Sequence, residues 1–598
     1  MRRKVLFFLL LLAWLPLRAQ WSGGVDVAGG YGRMAQQEES MDPRLDRILG
    51  QVGARLTYKT PVLLWETGLN ASYEHKDTDG NQFLVSEKEG KEEQIMMNSH
   101  FQEGKTKNLD TRFRSDLRWI PSPTRRYETW LQYRLLRGSE YHDTFEHHTV
   151  FQGENPLEDE LGLTEERLKD GRHQFSTGIR MAHGLDGTRK MLKGELSFDG
   201  TLRNRNDEWM NFDSSVSGAT EETEETRYRL TPRTNSGLLS SLFHYTDSLT
   251  TGGPCTLVID PGVRILVDNA LDRYSGSTLV DRAHDVWRDS TRLRENFHFL
   301  ALRAEPYFAA DLSWRSLKVH LDYAPQFYTR RLSYDTSREG NPYRKVYPVG
   351  NGFLEWSISP KHKVALRNTL SVQHPEFTQL CRFNRQGAYP MQLLRGNELL
   401  ESLLSRTFIV EYEFKYGGFL STFGLTYTRR LNELDRTFFD TVIDDRDYTA
   451  FTWVNAADSH RSGVQELLEW KGKWLTAHLG GSYNGTERRV RKTGKVKKTN
   501  DWRAWADVTA TLPKDWTVHV DADYRSAVAT LYSLSSEYCA LNARIQKRFT
   551  RITVYAEGRD LLDSPVSRQY LSHDGNDWWE ETARMNRRLF LLGLRWDL

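Results

Sequence analysis

The sequence predicts an all-β fold: a transmembrane antiparallel up-and-down β-barrel of about 22 strands, with 20 as the alternative, short periplasmic turns and long external loops. Three observations predict it. Apolar and polar residues alternate with period two through most of the chain, with no helical pattern to cover the apolar row. Short and long connections take turns. The 18 Trp, 26 Tyr and 27 Phe among 598 residues suit aromatic girdles at two membrane interfaces. The final stretch shows the alternation well: Phe590, Leu592, Leu594, Trp596 and Leu598 fall on one side of an extended backbone, and Leu591, Gly593, Arg595 and Asp597 on the other. In a bilayer such a strand turns its apolar side to lipid and its polar side to the lumen, and pairs every backbone group with a neighbouring strand.

The chain opens with Arg2, Arg3 and Lys4, an apolar run from Val5 to Leu17, and Ala19 before Gln20. This is the pattern of a secretory signal peptide, so residues 1–19 are expected to be removed and 20–598 to form a single barrel domain. The run is shorter than the ~20 residues of a spanning helix. A mean hydropathy of −0.64 does not oppose a membrane location, because barrel strands hide apolar residues at alternate positions and charged loops lower the average. The formal net charge of +2 gives no sign of a nucleic-acid partner. Cys255, Cys381 and Cys539 are far apart and no structural disulfide is expected. Cys539, in a run with Leu541, Ala543 and Ile545, reads as a small lipid-facing residue.

Taken in order, a first strand at Trp21 to Gly32 rises from the periplasm. Short turns follow at Thr60 and Pro61, Pro121 to Pro123, Asp186 to Thr188, Trp314 and Arg315, Ser359 to Lys361, Tyr416 to Gly418, Gly472 and Lys473, Pro513 and Lys514, and Phe549 and Thr550. Long polar stretches lie between them, at 77–105, 141–171, 204–225, 267–296, 375–402, 431–446, 487–500 and 563–585. With both ends periplasmic the number is even. It reaches 22 if Tyr448 to Trp470 is one long strand and Glu225 to Asp268 supplies two. The hairpin around Pro513 is the cleanest, with Trp502, Ala504, Ala506, Val508, Ala510 and Leu512 facing one way and Trp516, Val518, Val520, Ala522 and Tyr524 continuing the row.

Several residues in the second half carry a resemblance. Pro375, Phe377, Gln379 and Leu380, then Gly396, Asn397 and Leu400 before a strand from Leu403, resemble the Pro-x-hydrophobic-x-Gln-Leu and Gly-Asn-Pro-x-Leu-x-Pro-Glu signatures of TonB-dependent receptor barrels. Val454 and Asn455, followed by Gly463, Val464, Gln465 and Glu466, look like that family's Asn and Gly-hydrophobic-Glu strand. Asp560, Leu561, Leu562 and Asp563 look like its Asn-Leu-Phe-Asp sequence. The resemblance, to the barrel domain of TonB-dependent (SusC-like) receptors, spans roughly Pro375 to Leu598 and implies a 22-stranded outer-membrane barrel. The chain departs from the pattern at Glu398 and Ser402, where the family has prolines, at Leu598, and in leaving no room for an N-terminal plug domain.

A barrel of this size encloses a wide channel, so inward loops, a plug from another chain or lumen side chains must narrow it. The inferred inward residues are charged, among them Arg112, Arg114, Asp116, Arg118 and Arg134, with mixed signs that allow internal pairing. His142, Asp143, Glu146, His147 and His148 could hold a divalent metal, and Asp444, Asp445 and Asp447 could chelate calcium. Solvated loops are the simpler reading of both. The basic run Arg488, Arg489, Arg491, Lys492, Lys495, Lys497 and Lys498 could meet lipopolysaccharide phosphates or be a solvated tip, and Glu221, Glu222, Glu224 and Glu225 are its acidic counterpart. Trp578 and Trp579 could stack on a sugar or belong to a girdle. His519, Asp521 and Asp523 share a lumen face without a nucleophile motif beside them.

No catalytic, cofactor-binding or metal residue is therefore assigned, and no enzyme is expected. The sequence reads as a Gram-negative outer-membrane protein in contact with lipid and lipopolysaccharide. Its expected work is uptake or binding of an extracellular ligand, with a plug or surface lipoprotein as a possible partner; a non-transporting scaffold is the alternative.

Overall fold

In the computed structural model the described residues are 20–32, 47–88, 94–152, 155–186, 189–217, 220–250, 254–281, 286–334, 342–381, 384–386, 392–443, 446–562, 566–571, 578–583 and 589–597. Residues 1–19, for which the sequence leads one to expect a signal peptide, and Leu598 lie outside them. Nearly everything described is antiparallel strand. Its first seven strands are β1 (Gln20–Gly32), β2 (Arg47–Lys59), β3 (Leu63–Lys88), β4 (Gln94–Ser122), β5 (Arg125–Gln152), β6 (Asn155–Asp186) and β7 (Lys190–Ser217). Strand β8 comes in two pieces, Thr220–Leu230 and Arg233–Thr250, both paired to β7. Then come β9 (Cys255–Asp281) and β10 (Val286–Trp314).

Strand β11 is Leu317–Tyr323 plus Gln326–Tyr334, and β12 is Tyr343–Tyr347 plus Gly350–Ser359. The remainder are β13 (His362–Gln373), β14 (Leu403–Tyr416), β15 (Phe419–Ile443), β16 (Arg446–Lys471), β17 (Leu475–Val490), β18 (Val496–Leu512), β19 (Trp516–Arg525), β20 (Tyr538–Arg548), β21 (Ile552–Arg559) and β22 (Leu589–Asp597). Strand β22 pairs with β1 from Gly24↔Asp597 to Gly32↔Leu589, and the ring of 22 closes. Arg446–Lys471 is one strand and the region around Glu225 to Asp268 supplies two, as the count required.

The three interruptions share a cause. Pro232, Pro325 and Pro348 have no N–H to give to the ladder, so each breaks its strand. Neighbouring groups bridge the breaks: Arg205 N donates to Pro232 O at 3.0 Å and Ala324 N to Val349 O at 2.7 Å.

The two faces of the wall are those read from the sequence. Phe590, Leu592, Leu594 and Trp596 are exposed to the outside, whereas Leu589 and Leu591 are buried inside against Leu49. Trp502, Leu512 and Trp516 continue the outer row, and Cys539 sits on it opposite Tyr524. Cys255, Cys381 and Cys539 form no disulfide.

The external connections are long, as expected, but in one respect differ from the loops envisaged. Most of 77–105, 141–171, 204–225 and 267–296 is strand continuing beyond the membrane. About 9 to 11 residues cross a bilayer, and β6 has 32. The tall strands leave edges that short neighbours cannot cover, and an uncovered edge invites foreign strands. Hairpins from other loops cover them. Gln392–Arg395 pairs in parallel with Thr449 to Thr452 at the top of β16, and Trp578–Ala583 pairs with Gly80 to Val85 of β3. That second hairpin runs on through Val566–Leu571 to Ser533–Ser535, so the collar above the membrane is itself a hydrogen-bonded sheet.

Close strand contact is fitted by glycine against aromatic rings. A Cβ on Gly480 would fall 2.3 Å from the Trp505 ring, and one on Gly593 2.2 Å from that of Tyr555. Replacing Gly480 with Val should therefore lower the unfolding free energy of the refolded barrel by about 1–3 kcal/mol in urea titrations, whereas Gly50→Ala, with nothing within 4 Å of the new atom, should leave it within error.

Candidate functional site: the lumen and the segment folded into it

The inward row is charged, and its charges are paired. On β4 to β7, Asp110 accepts from Arg134 at 2.8 Å and Arg112 at 2.6 Å. Arg114 meets Asp116 at 2.5 Å, and Arg203 meets Asp170 at 2.8 Å. Glu128 gathers Arg118 at 2.7 Å, Arg126 at 2.5 Å and Arg180 at 3.3 Å. The far wall repeats the arrangement with Lys318, Glu355, Lys363 and Glu413 in one chain and with Arg503 on Asp523 at 2.7 Å. Mixed-sign pairing was legible in the sequence; its geometry was not.

Within each pair the carboxylate lies against the wall and the guanidinium projects into the lumen. The Arg112 side chain is 60% exposed and Asp110 14%, Arg114 65% and Asp116 31%, and Arg180 53% against 13% for Glu128. The wetted surface is thus richer in cation than the residue count implies. A cavity of about 1340 Å³ opens against β2 to β9, lined by Arg55, Arg112, Arg114, Arg134 and Arg595 with Glu66, Asp110, Asp116, Asp199 and Asp268 among them. Arg55 does not stand out in the sequence, and Arg595 reads there as an inward residue of the last strand; closure of β22 on β1 is what brings it to the same side of the lumen as β2 to β4.

The opposite half of the mouth is filled. Between β13 and β14 the chain makes one short helix, Phe377–Leu380, closed by a capping box between Glu376 and Gln379. Gly396 N then donates to Cys381 O and Asn397 N to Gln379 O. A Cβ at Gly396 would meet Cys381 O at 2.4 Å, so glycine is required. Leu380 and Leu400 are fully buried in a core with Phe297, Phe299, Tyr328, Leu332 and Tyr347. Those wall residues face away from the exposed Leu300, Leu302 and Phe327, so the core lies inside the barrel. The segment crosses to β16, where Asn397 Nδ2 donates to Trp453 O and Glu401 N to Asn455 Oδ1.

Two buried side chains fasten it. Arg330, 2% exposed, donates through Nη2 to Glu398 O and Leu400 O at 3.0 and 2.6 Å and lies 4.3 Å over the Tyr343 ring. His374 stacks on Tyr328 with centroids 3.7 Å apart. Its Nε2 lies 2.6 Å from Gln326 Oε1 and its Nδ1 2.7 Å from Ser402 Oγ. Gln326 in turn donates to Glu305, so a neutral imidazole with Nε2–H completes the chain. Burial, with Arg303 and Arg330 nearby, pushes His374 down to about 3.

The other sequence candidates are placed as follows. The basic run is a brace rather than a free tip: Arg488 reaches Glu433, Thr499 and Ala529 O, Arg491 faces Glu401, Lys497 donates to Leu531 O and Lys498 meets Glu487. His519 contacts Thr509 at 3.0 Å between Asp507 and Asp521, while Asp523 holds Arg503 and Arg525, which is charged lumen lining. His142, Asp143, Glu146, His147 and His148 lie in β5, where neighbours alternate between faces. Glu221 to Glu225 lie in the upper piece of β8, and Trp578 and Trp579 in the hairpin on β3. The side chains of these three groups, and of Asp447, fall outside the described residues, as do Asp444 and Asp445 entirely.

A closed ring of 22 membrane-length strands, a lipid-facing apolar row and a charged lumen define an integral barrel of the bacterial outer membrane. Residues 328–596 match the model of the outer membrane protein beta-barrel family. Among solved structures, the chain is similar to the ferric citrate transporter FecA in its unliganded form (10% identity, TM-score 0.59, 97% of this chain and 79% of that one). It is also similar to the siderophore receptor PiuA from Acinetobacter baumannii (9%, 0.57, 97% and 82%) and to the outer membrane transporter YddB from Escherichia coli (9%, 0.52, 96% and 81%). At these identities the likeness is one of fold, and it is to the barrels of receptors and transporters, as the sequence resemblance implied. No curated protein sequence matches the chain.

Arg330→Met should leave the Glu398 and Leu400 carbonyls without their donor, and limited proteolysis should then cut within 374–402 faster than in the wild type, with the wall strands still protected. His374 supplies a pH test. It stays neutral in the folded barrel down to about pH 3, while the unfolded chain takes up the proton near 6.5. Its contribution is complete above pH 6.5 and falls by about 1.4 kcal/mol per pH unit below that, down to the folded pKa. Between pH 7.5 and 5 the unfolding free energy of the wild type should thus drop by about 2 kcal/mol more than that of His374→Gln.

Proposed function

We propose that the barrel binds an extracellular anionic, oxygen-rich ligand in its lumen and takes it up across the outer membrane. The observation that carries this is the projection of guanidinium groups, Arg112 and Arg114 foremost, into a cavity whose carboxylates are drawn back to the wall. Guanidinium forks suit carboxylate and phosphate geometry, and a water-filled passage lined by such groups favours anions. FecA and PiuA are described as a ferric citrate transporter and a siderophore receptor. They support a receptor-type barrel; the ligand class here rests on the arginines. The described parts of the connection, 374–381 and 392–402, act as the gate, because they fill one side of the mouth and are held there by a small set of contacts from Arg330, Asn455 and Arg491. A scaffold that never conducts is the rival reading, and the long collar is the feature that suits it.

Single-channel conductance in a planar bilayer tests the proposal. The wild-type barrel should pass a small current, rise in conductance when urea loosens the 374–402 segment, and prefer chloride to potassium. Arg112→Gln with Arg114→Gln should reduce that preference and weaken block by millimolar citrate. Silence with and without urea would favour the scaffold instead.

A further inference from the structure

We infer that the outer face of β14 to β16 carries a site for a phosphate of the outer-leaflet glycolipid, built on Arg406, Arg429 and His460. The strand register places Arg406 directly opposite Arg429, and Arg429 directly opposite His460. Like charges facing each other across a ladder repel, so the arrangement is unfavourable unless an anion sits between them. These residues are on the lipid side of the wall. Arg406 shares its face with the exposed Phe408, Val410 and Tyr412, and Arg429 with Phe423, Leu425 and Tyr427.

Their height fits. Arg406 is ten residues up β14 from Tyr416, and Arg429 ten up β15 from Phe419. At ~3.3 Å per residue and a tilt of ~40°, both lie roughly 25 Å above the lower rim, where the apolar band of an outer-membrane barrel ends and headgroups begin.

The contrast with the inner face is the second observation. Inward cations have carboxylate partners, as Arg112, Arg114, Arg134, Arg180 and Arg503 do. On the outer face Arg429 has none among the described residues, and Arg406 has just the Asn368 amide at 3.3 Å and the Phe408 ring at 4.5 Å. Nearby carboxylates are engaged elsewhere: Asp458 accepts from Asn432 N, and Glu487, opposite His460, meets Lys498. Tyr427 Oη contacts His460 Nδ1 at 2.8 Å, which fixes the imidazole on the strand position opposite Arg429. Two arginines at directly opposed positions of the outer face, one with its guanidinium over the Phe408 ring, match a lipid phosphate whose acyl chains run down the wall.

The test compares binding of diphosphorylated lipid A with its dephosphorylated form to the full-length barrel in detergent, by native mass spectrometry and titration. The wild type should bind the phosphorylated lipid at least about tenfold more tightly. Arg406→Gln with Arg429→Gln should lose that margin, Arg406→Lys with Arg429→Lys should recover most of it, and Arg315→Gln with Lys473→Gln, which removes the same charge from the periplasmic turns, should keep it. Heat-modified mobility on gels confirms that each variant is folded. Equal affinity for the two lipids, or undiminished binding by the double Gln variant, would overturn the inference.

Discussion

The rest of the structure depends on one constraint: inside a bilayer no water is available to satisfy a backbone N–H or C=O, so each must find a partner on another strand. The β1–β22 ladder meets it by closing the ring. The same requirement is visible above the membrane in weaker form, where water could serve but an open edge would recruit other chains. There the top of β16 is covered by Gln392–Arg395 and the top of β3 by Trp578–Ala583. Because β17 and β2 are short beside β16 and β3, the collar hairpins sit where the tall strands would otherwise end unpaired.

A closed ladder fixes side-chain direction, and direction sorts charge. Each inward position meets other inward positions across the ladder, so Arg and Asp on adjacent strands find each other, as Arg134 and Asp110 do. Pairing draws the short carboxylates to the wall while longer guanidinium groups extend past them into water. Outward positions above the apolar band have different neighbours. There Arg406 meets Arg429, and no carboxylate on the same face is free to separate them. The difference arises from composition by row: the lumen row carries acidic residues between its arginines, whereas on the outer row Arg406 and Arg429 have no carboxylate between them.

Much of the wall was legible in the sequence because lipid imposes an apolar residue at every second place. The hairpin of β18 and β19 around Pro513 and the strand β22 could be read directly for that reason. Above the membrane the lipid is gone, and the signal goes with it. Residues 220–225, read as the end of an acidic loop, belong to the strand piece Thr220–Leu230, but their sequence has no apolar row to reveal it. Arg488 read as part of a basic tip because its partner Glu433 lies far away in sequence, and register alone brings them together. The resemblance at Pro375, Gln379, Gly396 and Asn397 pointed to the right segment. What it could not show was Arg330 and His374 beneath it, since neither is unusual until the wall supplies the carbonyls, Tyr328 and Gln326 around them.

The lumen is filled on one side and open on the other, and the wall itself explains the division. From β9 to β12 the upper inward row carries Ala270, Phe297, Phe299, Tyr328, Leu332 and Tyr347, an apolar surface that water would leave exposed at a cost of roughly 25 cal/mol per Å². A segment bearing Leu380 and Leu400 covers it. From β4 to β7 the inward row carries Asp110, Arg112, Asp116, Glu128 and Arg134, which already satisfy one another and would lose hydration under an apolar cover. That side stays wet and keeps the cavity. Anchoring and access are thus separated in space: the segment can be loosened from Arg330 and His374 without disturbing the arginines that line the passage, and those arginines can meet a ligand without unfolding the segment.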